Sequence, residues 1–144
     1  MSPKTRARGP TVSIHKRRRI TRGVPVEAII NCADNTGAKK LRVVQVVGVK
    51  TRLRRIPAAC VGDHIKVTVY KGPFKLRKQV LDAVLVRQRA PIRRPSGERV
   101  MFEDNAAVLI TSEGQPLGTE IKGPIALEVA DLWPRIANMA TLIY

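Results

Sequence analysis

HIKVTVYK, residues 64–71, alternates without interruption: Ile65, Val67 and Val69 fall on one side, His64, Lys66, Thr68 and Tyr70 on the other. A strict period of two places successive side chains on opposite faces, so the stretch reads as a strand with one face in a core. The same reading spreads outward. VEAIINCA (26–33) places Val26, Ala28, Ile30 and Cys32 on one face. LRVVQVVGV (41–49) is apolar enough to be buried on both faces for part of its length. VLDAVLVRQR forms a long strand and FEDNAAVLIT a further one. Between them lie turn formers: ADNTGAKK, VGD and the Pro-Ser-Gly of residues 95–97. Short strands joined by such turns, with little room for crossover helices, predict a mainly β fold, a small closed antiparallel barrel whose closure removes exposed strand edges.

Near the C-terminus the period changes. Ile125, Val129, Leu132 and Trp133 recur at helical spacing, with Pro124 suited to a first helical turn and Pro134 set to break the helix. Ile136, Met139, Ala140 and Ile143 then resume the period. Two short helices over about 124–142 are expected to pack on the barrel.

With 144 residues the chain is the size of one domain and buries enough surface to fold without a metal or disulfides. Its formal net charge is +16, which speaks about partners more than about fold. Residues 1–99 hold 25 Lys/Arg against 5 Asp/Glu, while residues 100–144 hold 2 against 6. No apolar run approaches the ~20 residues that span a bilayer, and no membrane partner is expected. Residues 1–23 carry eight Lys/Arg and no acid, and Pro3, Gly9, Pro10 and Arg17-Arg18-Arg19 spoil an amphipathic presequence helix. They read as a basic arm preceding one domain at 24–144.

Few residues offer catalysis. His15 sits in the arm and His64 on a strand's polar face; Cys60-x3-His64 supplies half the ligands of a structural zinc site. No phosphate-cradling glycine motif occurs. No enzyme, metal or cofactor is expected. Cys32 and Cys60 form no CxxC pair and read as buried thiols in a reducing compartment, the alternative being a disulfide between them.

The basic residues cluster instead at 16–19, 39–40, 50–55, 71–78 and 87–99, in connections and strand ends. One such cluster would be a solvated surface; five on one domain point to a polyanion. Arginine outnumbers lysine, which suits bidentate phosphate contact. Aromatics make up 3% of the chain, too few for a single-strand stacking platform, so phosphate and shape recognition of folded RNA is favoured. An architectural DNA-binding protein is the alternative, because phosphate contacts alone do not separate the two.

AVLV (83–86), nine residues, Ser96-Gly97, four residues, Phe102, two residues, Asn105, two residues and Val108-Leu109 form a succession similar to the signature of the universal ribosomal large-subunit protein fourteen family. VEAIINCADNTGAKKL, IPAACVGDHIKV, VRQRAPIRRPSGERVMFEDNAAVLI and GPIALEVADLWPRIA also resemble its segments in order, over roughly residues 24–140. INCADNTGA and ADLWPRIA resemble its archaeal and eukaryotic cytosolic branch.

That resemblance implies a five-stranded barrel with a protruding β-ribbon (about 87–102), seated on large-subunit rRNA in the cytoplasm. It further implies contact with small-subunit rRNA in inter-subunit bridges. The implied neighbours are ribosomal protein three, an archaeal/eukaryotic-type protein twenty-four and an anti-association factor docked on the C-terminal region. The candidate rRNA contacts are Arg17, Arg18, Arg19 and Arg22 in the arm, Asn35, Lys39 and Lys40, then Arg52, Arg54 and Arg55. Lys71, Lys75, Arg77 and Lys78 follow, and the ribbon adds Arg87, Arg89, Arg93, Arg94 and Arg99. Gly97 is expected to make the ribbon's turn, Phe102 to pin its base, and Asn105 to satisfy backbone groups where it rejoins the barrel. Glu103, Asp104, Glu128 and Asp131 are candidates for a protein-facing side, the alternative being plain surface solvation.

Overall fold

The computed structural model describes residues 19–144. The expectations for residues 1–18, Arg17 and Arg18 included, lie outside the described residues. In chain order the elements are β1 (Val24–Pro25), β2 (Ile29–Cys32), β3 (Lys40–Val46), β4 (Ala58–Ala59), β5 (His64–Lys71), α1 (Phe74–Arg77) and β6 (Val80–Arg87). They continue with β7 (Ile92–Arg93), β8 (Arg99–Val100), β9 (Ala106–Ile110), β10 (Pro124–Ile125), α2 (Leu127–Leu132), α3 (Pro134–Ala137) and β11 (Leu142–Ile143).

Strands β2, β3, β5, β6 and β9 pair in that order, and β9 returns to β2 to close the ring. The closing contact is parallel, Asn31 opposite Ala106 and Cys32 opposite Ala107, which corrects the expectation of an antiparallel arrangement throughout. Parity explains it: around a ring of five, direction cannot alternate at every step. The remaining four contacts are antiparallel.

Two apolar clusters result. Inside the ring lie Ile30, Leu41, Val43, Ile65, Val67, Ala83, Leu85 and Leu109. Each buried Val, Leu or Ile among them contributes roughly 1.5–3 kcal/mol relative to exposure. On the outer face of β6 and β9, Val84, Val86, Val108 and Ile110 lie beneath Ile121, Ile125, Val129, Trp133 and Ile136. β6 and β9 are therefore covered on both sides, which is why their sequences read as nearly continuous apolar runs.

Several local expectations change. VEAIINCA is two strands rather than one, because the chain turns between β1 and β2, with Glu27 at φ 70° and the Ala28 N–H donating to the Pro25 carbonyl. Val44 is exposed because it alternates with the buried Val43, and the register shift that follows keeps Gln45 outside and returns Val46 to the core. Pro124 lies in β10, paired in parallel with β11, and α2 begins only at Leu127. Proline's missing N–H costs a two-residue edge strand little. Helices α2 and α3 do break between Trp133 and Pro134, as the proline requires. The paired part of the ribbon is short, with Ile92 opposite Val100 and Arg93 opposite Arg99.

Candidate nucleic-acid interface

β6 and β9 are antiparallel neighbours, so the segment joining them leaves and re-enters the ring at one end, and β7 and β8 form its stem. Ile92, Val100 and Phe102 turn into the apolar cluster and fix the stem to the domain. Gly97, at φ +91°, makes the tip, and its N–H donates to the Arg94 carbonyl over 3.0 Å. Asn105 Oδ1 accepts the Arg89 N–H at 2.8 Å, tying the two arms where they meet the ring.

Arg93 and Arg99 face each other across the stem, both exposed. Like charges directly opposite repel, so this pairing destabilises the free ribbon and becomes favourable when an anion lies between them. With Thr21 and Pro91 they line a cleft of about 270 Å³. Among the described residues the ion pairs are His64–Asp82, Lys66–Asp82, Arg87–Asp104 and Arg94–Glu128; Arg93 and Arg99 join none of them.

Two ribbon arginines do not project outward. Arg87 is 8% exposed: Nε and Nη2 donate to the Asp104 carboxylate at 2.9 and 3.3 Å, and Nη1 donates to the carbonyls of Lys122 and Pro124. Arg94 grips Glu128 through Nε at 3.1 Å and donates to the Tyr144 main-chain oxygen at 2.6 Å. Both guanidinium groups clasp the ribbon to the C-terminal segment. The same contacts correct two acids, since Glu128 is 5% exposed and Asp104 is engaged by Arg87 and Asn31, leaving Glu103 and Asp131 as the exposed pair. Asn35 is likewise occupied, its Nδ2 donating to Thr119 Oγ1 and its Oδ1 accepting the Thr119 N–H. A linear sequence separates basic clusters from their acid partners by 17 and 34 residues, so these pairs are invisible in it.

The remaining cations divide between the two ends of the ring. Arg52, Arg54 and Arg55 are exposed on the loop after β3, at the ribbon's end, as are Arg19, Arg22 and Arg89. Lys39, Lys40, Lys71, Lys75, Arg77 and Lys78 are exposed at the other end, where β3 begins, β5 ends and α1 follows. There Lys40 lies opposite Lys71, and the Lys39 N–H donates to the Lys71 carbonyl.

The profile of the ribosomal protein L14p/L23e family matches residues 23–144. Large ribosomal subunit protein uL14 of Cenarchaeum symbiosum is 52% identical over 139 residues, 96% of each chain. Its counterpart in Nitrosopumilus maritimus is 56% identical over 124 residues, covering 86% of this chain and 89% of that one. That of Halobacterium salinarum is 56% identical over 124 residues, 86% of this chain and 94% of its own. The chain belongs to the L14p/L23e family. As a member it is a ribosomal protein, a structural constituent of the cytoplasmic large subunit rather than an enzyme.

Within this L14p/L23e domain the groups that suggested other chemistry have structural partners. His64 Nε2 and Lys66 Nζ lie 2.9 and 2.8 Å from one oxygen of Asp82. Burial pushes the Asp82 carboxyl up, but the hydrogen bonds from Lys66 and His64 outweigh it and hold the group below the usual carboxylate value. Trp133 Nε1 donates to the Gly62 carbonyl, anchoring the helices to the turn before β5. Neither cysteine is in a disulfide: Cys60 Sγ donates to Asp63 Oδ2 at 3.4 Å, and burial, then the Asp34 charge, pushes the Cys32 thiol up to about 12.

Three buried polar residues escaped the sequence reading. Gln88 takes the Val61 N–H and donates to the carbonyls of Thr21 and Ala90, joining the end of the arm to the ribbon base. Asp34 accepts from Leu109 N–H and Thr36, and Asp63 accepts the Cys60 N–H. Their only sequence signal is a polar residue at the edge of an apolar run, which turns share.

Proposed function

We propose that this L14p/L23e chain binds large-subunit rRNA through the basic side chains at both ends of its ring, which we read as a small barrel. Arg93 and Arg99 carry the proposal: an exposed cross-strand arginine pair on an anchored stem gains stability only when phosphate fills the space between them. Arg89, Arg52, Arg54, Arg55, Arg19 and Arg22 extend that surface; Lys39, Lys40, Lys71, Lys75, Arg77 and Lys78 supply a second one. Two separated basic surfaces suit a protein lying between the rRNAs of two subunits, so the chain contributes to inter-subunit bridges with small-subunit rRNA. The C-terminal segment, with exposed Asp131 and nearby acid-rich sequence, then offers the surface for protein neighbours. These are ribosomal protein three, an archaeal/eukaryotic-type protein twenty-four and an anti-association factor. The arm at 1–23 and the domain at 24–144 act as one rRNA-binding unit.

Sedimentation of tagged protein from its native cells, at low and then high salt, tests the assignment. Co-migration with free large subunits and whole ribosomes that survives high salt is expected; protein left at the top of the gradient, or following DNA, overturns it. Arg93→Glu with Arg99→Glu is then expected to weaken subunit binding and joining without unfolding the domain.

A further inference from the structure

At the end of the ring away from the ribbon, two aromatic rings stand out of the protein: Tyr70 is 54% exposed and Phe74 71% exposed. Tyr70 is the extra residue of a β-bulge, because Lys71 lies opposite Lys40 and Val69 opposite Leu41, leaving Tyr70 without a cross-strand partner. Alternation along β5 sets Tyr70 on the face away from the core, and the bulge leaves it without a cross-strand neighbour to cover it. Phe74 opens α1 directly after Pro73, one turn beyond the end of β5. A cation sits over each ring: Arg42 Cζ is 5.5 Å from the Tyr70 centroid and Lys78 Nζ 4.8 Å from that of Phe74.

The surroundings name the occupant. Lys39, Lys40 and Lys71 lie beside the rings, and between Asn35 and Leu81 the only acid is Asp63, buried at the opposite end of the ring. The acids at this end, Glu113 and Glu120, lie on the loop after β9, whereas the groups flanking the rings are Lys71, Lys75, Arg77 and Lys78, which favours an anionic partner over a cationic protein surface. A nucleic-acid strand finds both things it needs, a π-face for a base and cations for its phosphates. We propose that Tyr70 and Phe74 form a stacking subsite for unpaired bases of an RNA strand whose phosphates are held by Lys39, Lys40 and Lys71. This inference rests on the RNA-binding reading above and revises the expectation that the aromatics are too few for stacking, since two of the five stand exposed together and add a second mode at the other end of the molecule.

The test uses the full-length protein and a ten-nucleotide single-stranded RNA carrying 2-aminopurine, whose fluorescence is quenched on stacking. Wild type is expected to quench it; Tyr70→Leu and Phe74→Leu are each expected to weaken binding by roughly fivefold to a hundredfold and to reduce the quench. Leucine keeps an apolar side chain at these exposed sites, and circular dichroism checks that both variants fold. Binding of a structured large-subunit rRNA fragment, sensitive to Arg93→Glu and Arg99→Glu, is expected to persist in both leucine variants. A structured fragment that binds while the single strand shows no quench, or a quench that survives both substitutions, overturns the stacking subsite and leaves rRNA binding standing. Failure of both RNAs to bind overturns both readings, and the rings would then be assigned to a protein contact.

Discussion

Arg87 and Arg93 are six positions apart in one basic run, yet they do opposite things. Arg87 spends its donors on Asp104 and two carbonyls, whereas Arg93 stands in solvent opposite another arginine. Arg87→Ala is therefore expected to cost about 2–3 kcal/mol of stability, read by urea denaturation, because it strands two carbonyls and a half-buried carboxylate. Arg93→Ala should leave stability within about 0.5 kcal/mol. The Arg87–Asp104 pair also sets a pH dependence. Burial pushes the Asp104 carboxyl up, but the hydrogen bonds from Arg87 and Asn31 prevail, so its folded value lies below the usual 3.8. The unfolded chain then binds the proton first on acidification. The pair's contribution is whole above about pH 5 and is lost as pH falls below 3.8 through the folded value. Asp104→Asn is expected to flatten that acid limb in a pH series of urea midpoints. Cys32 gives a second check at this scale. With its thiol pushed up to about 12 from 9.0, its thiolate is scarcer by about a thousandfold at neutral pH. Iodoacetamide should accordingly modify it at that much lower a rate in the folded chain than in urea.

At the scale of elements, the ribbon is a short stem held at its base rather than along its length. Only the rungs Ile92–Val100 and Arg93–Arg99 pair, and the apolar rung is the buried one. Its tip depends on Gly97: a Cβ there would meet nothing within 4 Å, so the cost of Gly97→Ala is the left-handed backbone alone, about 1–2 kcal/mol. Because the tip projects, that cost is expected to appear as faster amide exchange in residues 93–99 rather than as a drop in the domain's melting temperature. The strands were legible where period and turn chemistry agreed: β5 and β9, and the Pro134 break between α2 and α3. They were illegible where tertiary pairing decided. Nothing local in VEAIINCA announces the Glu27 turn, whose N–H donates to the Val43 carbonyl of the neighbouring β3. β10 and β11 exist only because the chain's last residues return to Ile125, and four-residue α1 is too short to carry a period. The ribbon's location and its glycine were legible for the opposite reason, since both are local. Which of its arginines turn inward was not, because Asp104 and Glu128 come to them from other elements.

Across the whole molecule, charge and core are segregated. The ring interior and the outer face of β6 and β9 hold aliphatic side chains, while exposed lysines and arginines gather at the two ends. Such a molecule meets RNA by releasing counterions, and the steepness of its salt dependence counts the phosphates it neutralises. If about ten side chains do so, log affinity for a structured large-subunit rRNA fragment falls against log salt with a slope near −7 to −9. The structure divides the arginines for this measurement. Arg93→Ala and Arg99→Ala, exposed and outside the ion pairs of the domain, should each flatten the slope by roughly 0.7–0.9 and together by about twice that. Arg87→Ala and Arg94→Ala should leave the slope near the wild-type value, because their charges are neutralised inside the fold by Asp104 and Glu128; any loss of affinity would track loss of folded protein. Filter binding between 50 mM and 300 mM salt, with the folded fraction measured alongside, reads both quantities at once. Equal flattening by Arg87→Ala and Arg93→Ala would mean that the internal clasp opens on RNA and that both arginines face phosphate in the complex.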